Sequence, residues 1–258
     1  MSVKDMEGRV AIVTGGSDGI GRATSQKLAA RGAHVVVLAR GMEKLEATRN
    51  AIHAAGGSVE IHSIDLSDAE AYAALVTQIA DAHGRLDMLV NNAMSVHYAP
   101  LDKLSLEHWR KDFAVNSDAV FAGTKAAIAA MRKSGGGSIV NVSSTTAIRS
   151  APYMTSYSAS KAAMIQFTSV AAMEVARENI RLNCVVPGQV QTAGNEDFAR
   201  KAPEIAAKTA DAIPMGRGGD PDELAESIIF LLSDAASYIT GIALPVDGGK
   251  SAQLYLPS

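Results

Sequence analysis

Val10-Ala11-Ile12-Val13-Thr14-Gly15-Gly16-Ser17-Asp18-Gly19-Ile20-Gly21 is a β-branched run that breaks into glycines and continues as an amphipathic stretch. The pattern predicts a strand over Val10–Thr14, a tight glycine turn, and a helix over Gly19–Arg31. Glycines in such a turn let the backbone bend sharply and approach a pyrophosphate. The helix N-terminus behind them offers unpaired N–H groups and the positive end of a dipole. Without a ligand, the same glycines would serve only as a tight strand-to-helix turn. The spacing Gly15-x-x-x-Gly19-x-Gly21 also differs from the commoner G-x-G-x-x-G, so the reading needs support from elsewhere in the chain.

The same rhythm recurs along the sequence. Strands are predicted at Val35–Ala39, Val59–Ile64, Leu86–Val90, Ser138–Val142, Arg181–Val186 and Ile242–Val246. Helices are predicted over Met42–Ala55, Asp68–His83, Leu106–Lys133 (one helix or two), Ser156–Arg177 and Pro221–Ser233. Alternating strands and helices imply parallel pairing through helical crossovers. The strands are apolar throughout, as expected when helices cover both faces. The expected fold is a single-domain α/β doubly wound parallel sheet of about seven strands, Rossmann-type. The segment from Thr192 to Pro214 interrupts the rhythm and reads as a small lid.

Composition narrows the function. Of 258 residues, 47% are hydrophobic and 20% charged, with a net charge of −3. A chain without a basic excess is a poor partner for nucleic acid. No apolar run is long enough to span a bilayer, and Met1–Gly8 has no apolar signal core. The single cysteine, Cys184, allows no intrachain disulfide and sits in an apolar run, where a buried thiol is expected. No Cys/His spacing reads as a metal site. A cytoplasmic protein is the default expectation.

Strand ends carry the candidate site. The second strand ends Leu38-Ala39-Arg40, with a base where NAD-binding sites usually place an acid. Arg40 can pair a 2′-phosphate, which favours NADP(H) and leaves NAD(H) open. Asp18 in the glycine loop argues the other way, because an acid repels that phosphate. Asp65-Leu66 and Asn91-Asn92-Ala93 follow the third and fourth strands, where open α/β sheets bind ligands. Tyr157 and Lys161 lie four apart, on one face of a helix. A free tyrosine, with a pKa of about 10, is a poor base near neutrality. A neighbouring ammonium should lower that value, so that Tyr157 exchanges a proton with an alcohol or ketone. A serine at the end of the fifth strand, Ser143 or Ser144, could orient the substrate oxygen.

These pieces together resemble the short-chain dehydrogenase/reductase family over nearly the whole chain. The matching residues are Thr14-Gly15-x-x-x-Gly19-x-Gly21, Asp65, Asn91-Asn92-Ala93, Asn116, Ser144, Tyr157-x-x-x-Lys161, Pro187-Gly188 and Val246-Asp247-Gly248-Gly249. The resemblance implies a hydride-transferring oxidoreductase of secondary alcohols and ketones. It implies four catalytic residues: Asn116 anchoring a water, Ser144 polarising the substrate oxygen, Tyr157 as acid–base, and Lys161 holding the nicotinamide ribose and tuning Tyr157. Ser144 matches the family position; Ser143 is one too early.

The implied cofactor contacts are Gly15, Ser17, Asp18, Gly19, Ile20, Arg40, Asp65, Leu66, Asn92, Ala93, Tyr157, Lys161, Pro187, Gly188, Val190 and Thr192. Met94, His97, Arg149, Tyr153 and Gln189 are expected around the substrate. Met94 stands where the family usually has glycine, which implies less room near the nicotinamide. A homotetramer is implied too, through the Ala-rich faces of the helices over Leu106–Lys133 and Ser156–Arg177. A 3-oxoacyl thioester reductase is the competing enzyme reading, favoured if Arg149, Arg200, Lys201 and Lys208 form a basic cleft mouth. A non-catalytic dinucleotide sensor is the reading from another class.

Overall fold

A computed structural model of the chain describes residues 4–254, excepting the side chains of Ala193 and Phe198. Seven parallel strands form one sheet in the order β3-β2-β1-β4-β5-β6-β7. They are β1 (Val10–Thr14), β2 (His34–Ala39), β3 (Ser58–Ser63), β4 (Met88–Asn91), β5 (Gly137–Val142), β6 (Ile180–Pro187) and β7 (Ala243–Val246). Every predicted strand is present, with no end shifted by more than two residues.

Side chains alternate across each strand, and the two faces feed two cores. Ala11, Val13, Val35 and Val37 pack on one face, under helices α1 (Gly19–Ala30), α2 (Met42–Ala54) and α9 (Pro221–Leu232). Val10, Ile12, Val36 and Leu38 pack on the other, under α3 (Ala69–His83), α5 (Ala119–Ser134) and α6 (Thr155–Val175). Each fully buried Val, Leu or Ile contributes about 1.5–3 kcal/mol. Cys184 is buried among Val120, Met164 and Val186, and burial pushes its thiol up to about 12.

The helix expected over Leu106–Lys133 is three segments. Helix α4 (Leu106–Phe113) leads into a π turn, Ala114–Asp118, and then into α5. Periodicity could not show this, because one inserted residue barely disturbs a 3.6-residue pattern. The stretch read as a lid holds two short helices, α7 (Ala193–Lys201) and α8 (Pro203–Asp211).

The order of strands reverses direction between β1 and β4, so the crevice beyond their carboxyl ends is the natural ligand site. Thr14 ties the two ends together. Its hydroxyl donates to the Val90 carbonyl (3.3 Å) and accepts from the Asn92 and Ala93 amides (3.0 and 3.1 Å). Beneath the crevice a buried polar chain crosses the sheet. Tyr72 donates to Asn91 (2.9 Å), Asn91 to Asn141 (2.8 Å), and Asn141 to Thr168 (2.8 Å).

Candidate active site

The glycine loop is clamped from below. Asn92 donates through Nδ2 to the carbonyls of Thr14 (3.1 Å) and Gly15 (3.2 Å). Gly15 sits at φ +62°, and a Cβ on Gly21 would lie 2.3 Å from the Gly15 oxygen. Glycine is therefore required at both positions, first by backbone conformation and then by space. Asp18 caps α1 by accepting the Gly19 N–H (2.8 Å), and Lys44 pairs with its other oxygen at 2.5 Å. That pairing removes the objection Asp18 raised against a 2′-phosphate, because its charge is already neutralised.

A cleft of about 780 Å³ opens over this loop. Gly15, Ser17, Asp18, Arg40, Lys44, Asp65, Leu66, Ala93, Met94 and His97 line it. The size suits a large organic ligand. The lining suits a dinucleotide: a helix N-terminus for phosphate, the Arg40 cation after β2, and apolar Leu66 and Ala93 for a flat ring. Asp65 lies in the wall with one oxygen accepting the Ser67 amide (3.0 Å), and Arg40 nearby helps keep its carboxyl ionised.

The loop after β6 covers the other side. Gly188 packs so closely on Asp247 that a Cβ would lie 2.8 Å from the Asp247 side chain. Val190 bridges to Gly219, and its carbonyl accepts from Asn195 Nδ2 (2.7 Å). The Thr192 methyl would lie 3.0 Å from a Cβ on Gly19, so this loop reaches back to the glycine turn. Pro187 ends β6. Gln189 leaves its buried Oε1 without a partner among the described residues.

Two i,i+4 pairs meet between α4 and α6. Ser156 donates to the buried Asp112 (2.5 Å), and Asn116 Nδ2 donates to Ser160 (3.0 Å). This face locks α6, so that the adjacent face presents Tyr157 and Lys161. Asp112 also receives Ser95 (2.8 Å) and His97 Nδ1 (2.7 Å), and the His97 ring stacks on His108 at 4.2 Å. Burial acts to raise the Asp112 carboxyl, but the hydrogen bonds outweigh it and hold the group below its usual value. The sequence reading missed Asp112. Its signal was the same four-residue spacing, Asp112 to Asn116, that exposed Tyr157 and Lys161.

The side chain of Asn116 is already committed, to Ser160 and to both the Ser95 carbonyl (2.7 Å) and the Ser95 amide (2.9 Å). Both Nδ2 hydrogens of Asn116 are therefore used within the protein.

Lys161 is fully buried and donates to the Val142 carbonyl (2.7 Å), with its ammonium 5.8 Å from the Tyr157 ring centre. Desolvation brings Lys161 down to about 8. Burial pushes Tyr157 up to about 12, opposed by a hydrogen bond with Ser144. The expectation that Lys161 would lower Tyr157 is thus not met: the ammonium faces a carbonyl, and desolvation of the phenol dominates. Ser143 donates to the Lys161 carbonyl (2.9 Å) inside the core, whereas Ser144 is half-buried beside Tyr157.

The Tyr157 hydroxyl lies 3.9 Å from the Met94 sulfur. Exposed Met94 and Tyr98 flank it, and Tyr153, at φ +68°, joins this rim by accepting the Ala99 amide (3.0 Å). Neither Arg149 nor Tyr153 lines the dinucleotide cleft. Arg149 turns back onto the Ile148 carbonyl (2.9 Å). Arg200 and Lys201 both pair with the single carboxylate of Asp197 in α7, which offsets one of their two charges.

A family model described as enoyl-(acyl carrier protein) reductase matches residues 15–251. The chain belongs to the short-chain dehydrogenase/reductase family. It is 38% identical over 246 residues to 2,5-dichloro-2,5-cyclohexadiene-1,4-diol dehydrogenase LinX of Sphingobium indicum, covering 95% of this chain and 97% of that one. It is 39% identical to the 3-oxoacyl-[acyl-carrier-protein] reductase FabG of Thermotoga maritima, covering 95% and 98%. A crystal structure of 3-oxoacyl (acyl-carrier-protein) reductase from Agrobacterium tumefaciens C58 with NADP bound superposes with a TM-score of 0.91, at 32% identity and 95% coverage of each chain. The short-chain dehydrogenase/reductase assignment makes this chain an NAD(P)-dependent oxidoreductase acting on hydroxyl and carbonyl groups.

Proposed function

We propose that the protein is an NADP(H)-dependent reductase of partly apolar, medium-sized ketones, with Tyr157 as the proton donor. The observation that carries the reading is the placement of Tyr157, Ser144 and Lys161 together at the carboxyl end of the sheet, beside the dinucleotide cleft. When bound, the nicotinamide supplies or accepts hydride. The glycine loop with Ser17 and Ile20 would hold its pyrophosphate, Asp65 and Leu66 the adenine, and Asn92, Ala93, Pro187, Gly188, Val190 and Thr192 the nicotinamide half.

The protein's own groups do the rest. Ser144 orients the carbonyl oxygen against Tyr157. A phenol pushed up to about 12 is fully protonated at neutral pH, the form that donates to a ketone. Lys161 would bind the ribose hydroxyls and relay a proton from Tyr157 inward, toward Asn116. Arg40 favours a 2′-phosphate. Met94, Tyr98 and Tyr153 give the rim its apolar character, with His97 and Gln189 as polar contacts. Helices α7 and α8 act as the lid, and the Ala-rich faces of α5 and α6 pair subunits into a tetramer in the cytoplasm.

The FabG relative favours a second reading, reduction of 3-oxoacyl thioesters. Its carrier arm would need cations at the mouth, and the Arg200, Lys201 and Asp197 group there carries one net positive charge. The deciding experiment is a screen of ketones and 3-oxoacyl thioesters with NADPH and NADH. Simple ketones should turn over faster with NADPH, and Tyr157→Phe should abolish turnover while NADPH still binds. Turnover retained in Tyr157→Phe refutes the mechanism, and tighter binding of NADH than of NADPH refutes the cofactor preference.

A further inference from the structure

At the β2–β3 edge of the sheet, outside the cofactor cleft, four histidine and glutamate side chains converge from three elements. His34 opens β2, Glu60 and His62 lie on β3, and His83 ends α3. Strand alternation explains the meeting. Val59 and Ile61 of β3 enter one core, so Ser58, Glu60 and His62 share the opposite face, under α3. Register pairs His34 with Ser58, which brings His34 beside them. Gly84, left-handed at φ +69°, stops α3 so that His83 reaches down onto the strands.

The donor atoms form a compact set. Glu60 Oε2 lies 3.1 Å from His83 Nε2 and 3.8 Å from His34 Nε2, and the three ligand atoms all lie within 4.8 Å of one another. The His34 and His83 rings are 4.5 Å apart. His34 Nδ1 bonds Ser58 Oγ at 2.7 Å, which fixes the ring and aims Nε2 inward. That Nε2 is buried and makes no hydrogen bond among the described residues. A buried, unpaired ring nitrogen is costly unless something binds it. His62 holds the second Glu60 oxygen, the outer contact that orients a ligating carboxylate.

We propose that His34, Glu60 and His83 bind one Zn²⁺-class divalent transition ion, with water completing the shell and His62 orienting Glu60. Two imidazole nitrogens and one carboxylate suit that class, and ligand bonds of about 2.0–2.2 Å need only a small contraction of the present cluster. The ion would pin the end of α3 to the edge strand. The site takes no part in hydride transfer and stands independently of the proposed reaction.

Untagged, chelator-treated protein titrated calorimetrically with Zn²⁺ alone should bind one equivalent. His83→Ala and Glu60→Gln should each weaken that binding at least about tenfold. His53→Ala, on α2 and outside the cluster, should leave it unchanged. Circular dichroism checks that each variant is folded, and His83→Gln replaces the alanine variant if that one is not. Added Zn²⁺ should raise the Tm of the wild type and not of the ligand variants. Absence of saturable one-equivalent binding, or full affinity in either ligand variant, overturns the proposal.

Discussion

Lys161→Met should make the protein inactive without making it less stable, and the balance should change with pH. Lys161 is fully buried, and burial takes its ammonium from 10.5 down to about 8. A folded pKa below the unfolded one means that the unfolded chain binds more protons between those values. Stability therefore rises with pH across that window, and the whole cost is present below pH 8. At about 1.4 kcal/mol per pH unit, the buried charge costs roughly 3 kcal/mol at neutrality. Methionine removes that cost and fills similar space, but leaves the Val142 carbonyl without its donor, at about 1–3 kcal/mol. The net change at pH 7 should lie between nothing and a gain of about 2 kcal/mol. Denaturant unfolding of both proteins at pH 7 and near pH 10 measures it. Tyr157 and Cys184 also titrate in the alkaline range, but they are present in both proteins and largely cancel in the difference. The wild type should gain about 3 kcal/mol on the variant between the two conditions. A difference that stays flat with pH, or a variant less stable by more than about 2 kcal/mol at pH 7, would refute the reasoning.

Gly21→Ala puts a methyl 2.3 Å from the Gly15 oxygen and 2.5 Å from Asn92 Nδ2. The loop must shift, so NADPH affinity by fluorescence titration should fall at least about tenfold, with about 1–3 kcal/mol of stability lost. Asp112→Asn leaves Ser95, His97 and Ser156 competing for one oxygen. Stability should drop by about 2–4 kcal/mol, and kcat should fall more than KM rises, because α6 loses its anchor. The Arg217 hydrogen bond and the Asp220 amide hold Glu223 down to about 2 at the start of α9. A depressed carboxylate stabilises above its unfolded value of 4.5 and loses that contribution as pH falls toward 2, so amide protection factors in the first turn of α9, with the intrinsic exchange rate divided out, should fall over that interval and not above it.

The sequence alone determined the layered sheet, because apolar strands alternating with helical periods admit few other folds. It also placed Tyr157, Lys161 and the glycine turn, since each is a local pattern: a helical i,i+4 pair or a strand-to-helix break. Arg40 and Ser144 were legible as strand ends. Only the tertiary structure decided the environments. The pairing of Asp18 with Lys44 joins residues 26 positions apart, and the locking of Asp112 and Asn116 onto Ser156 and Ser160 spans 44. Neither leaves a local signature. Whether Tyr157 is easier or harder to ionise depends on competition between burial and a lysine whose ammonium turned toward Val142, a matter of orientation that spacing cannot show. The His34–Glu60–His83 cluster was invisible for the same reason: its members are scattered in sequence, and strand register and the end of α3 bring them together.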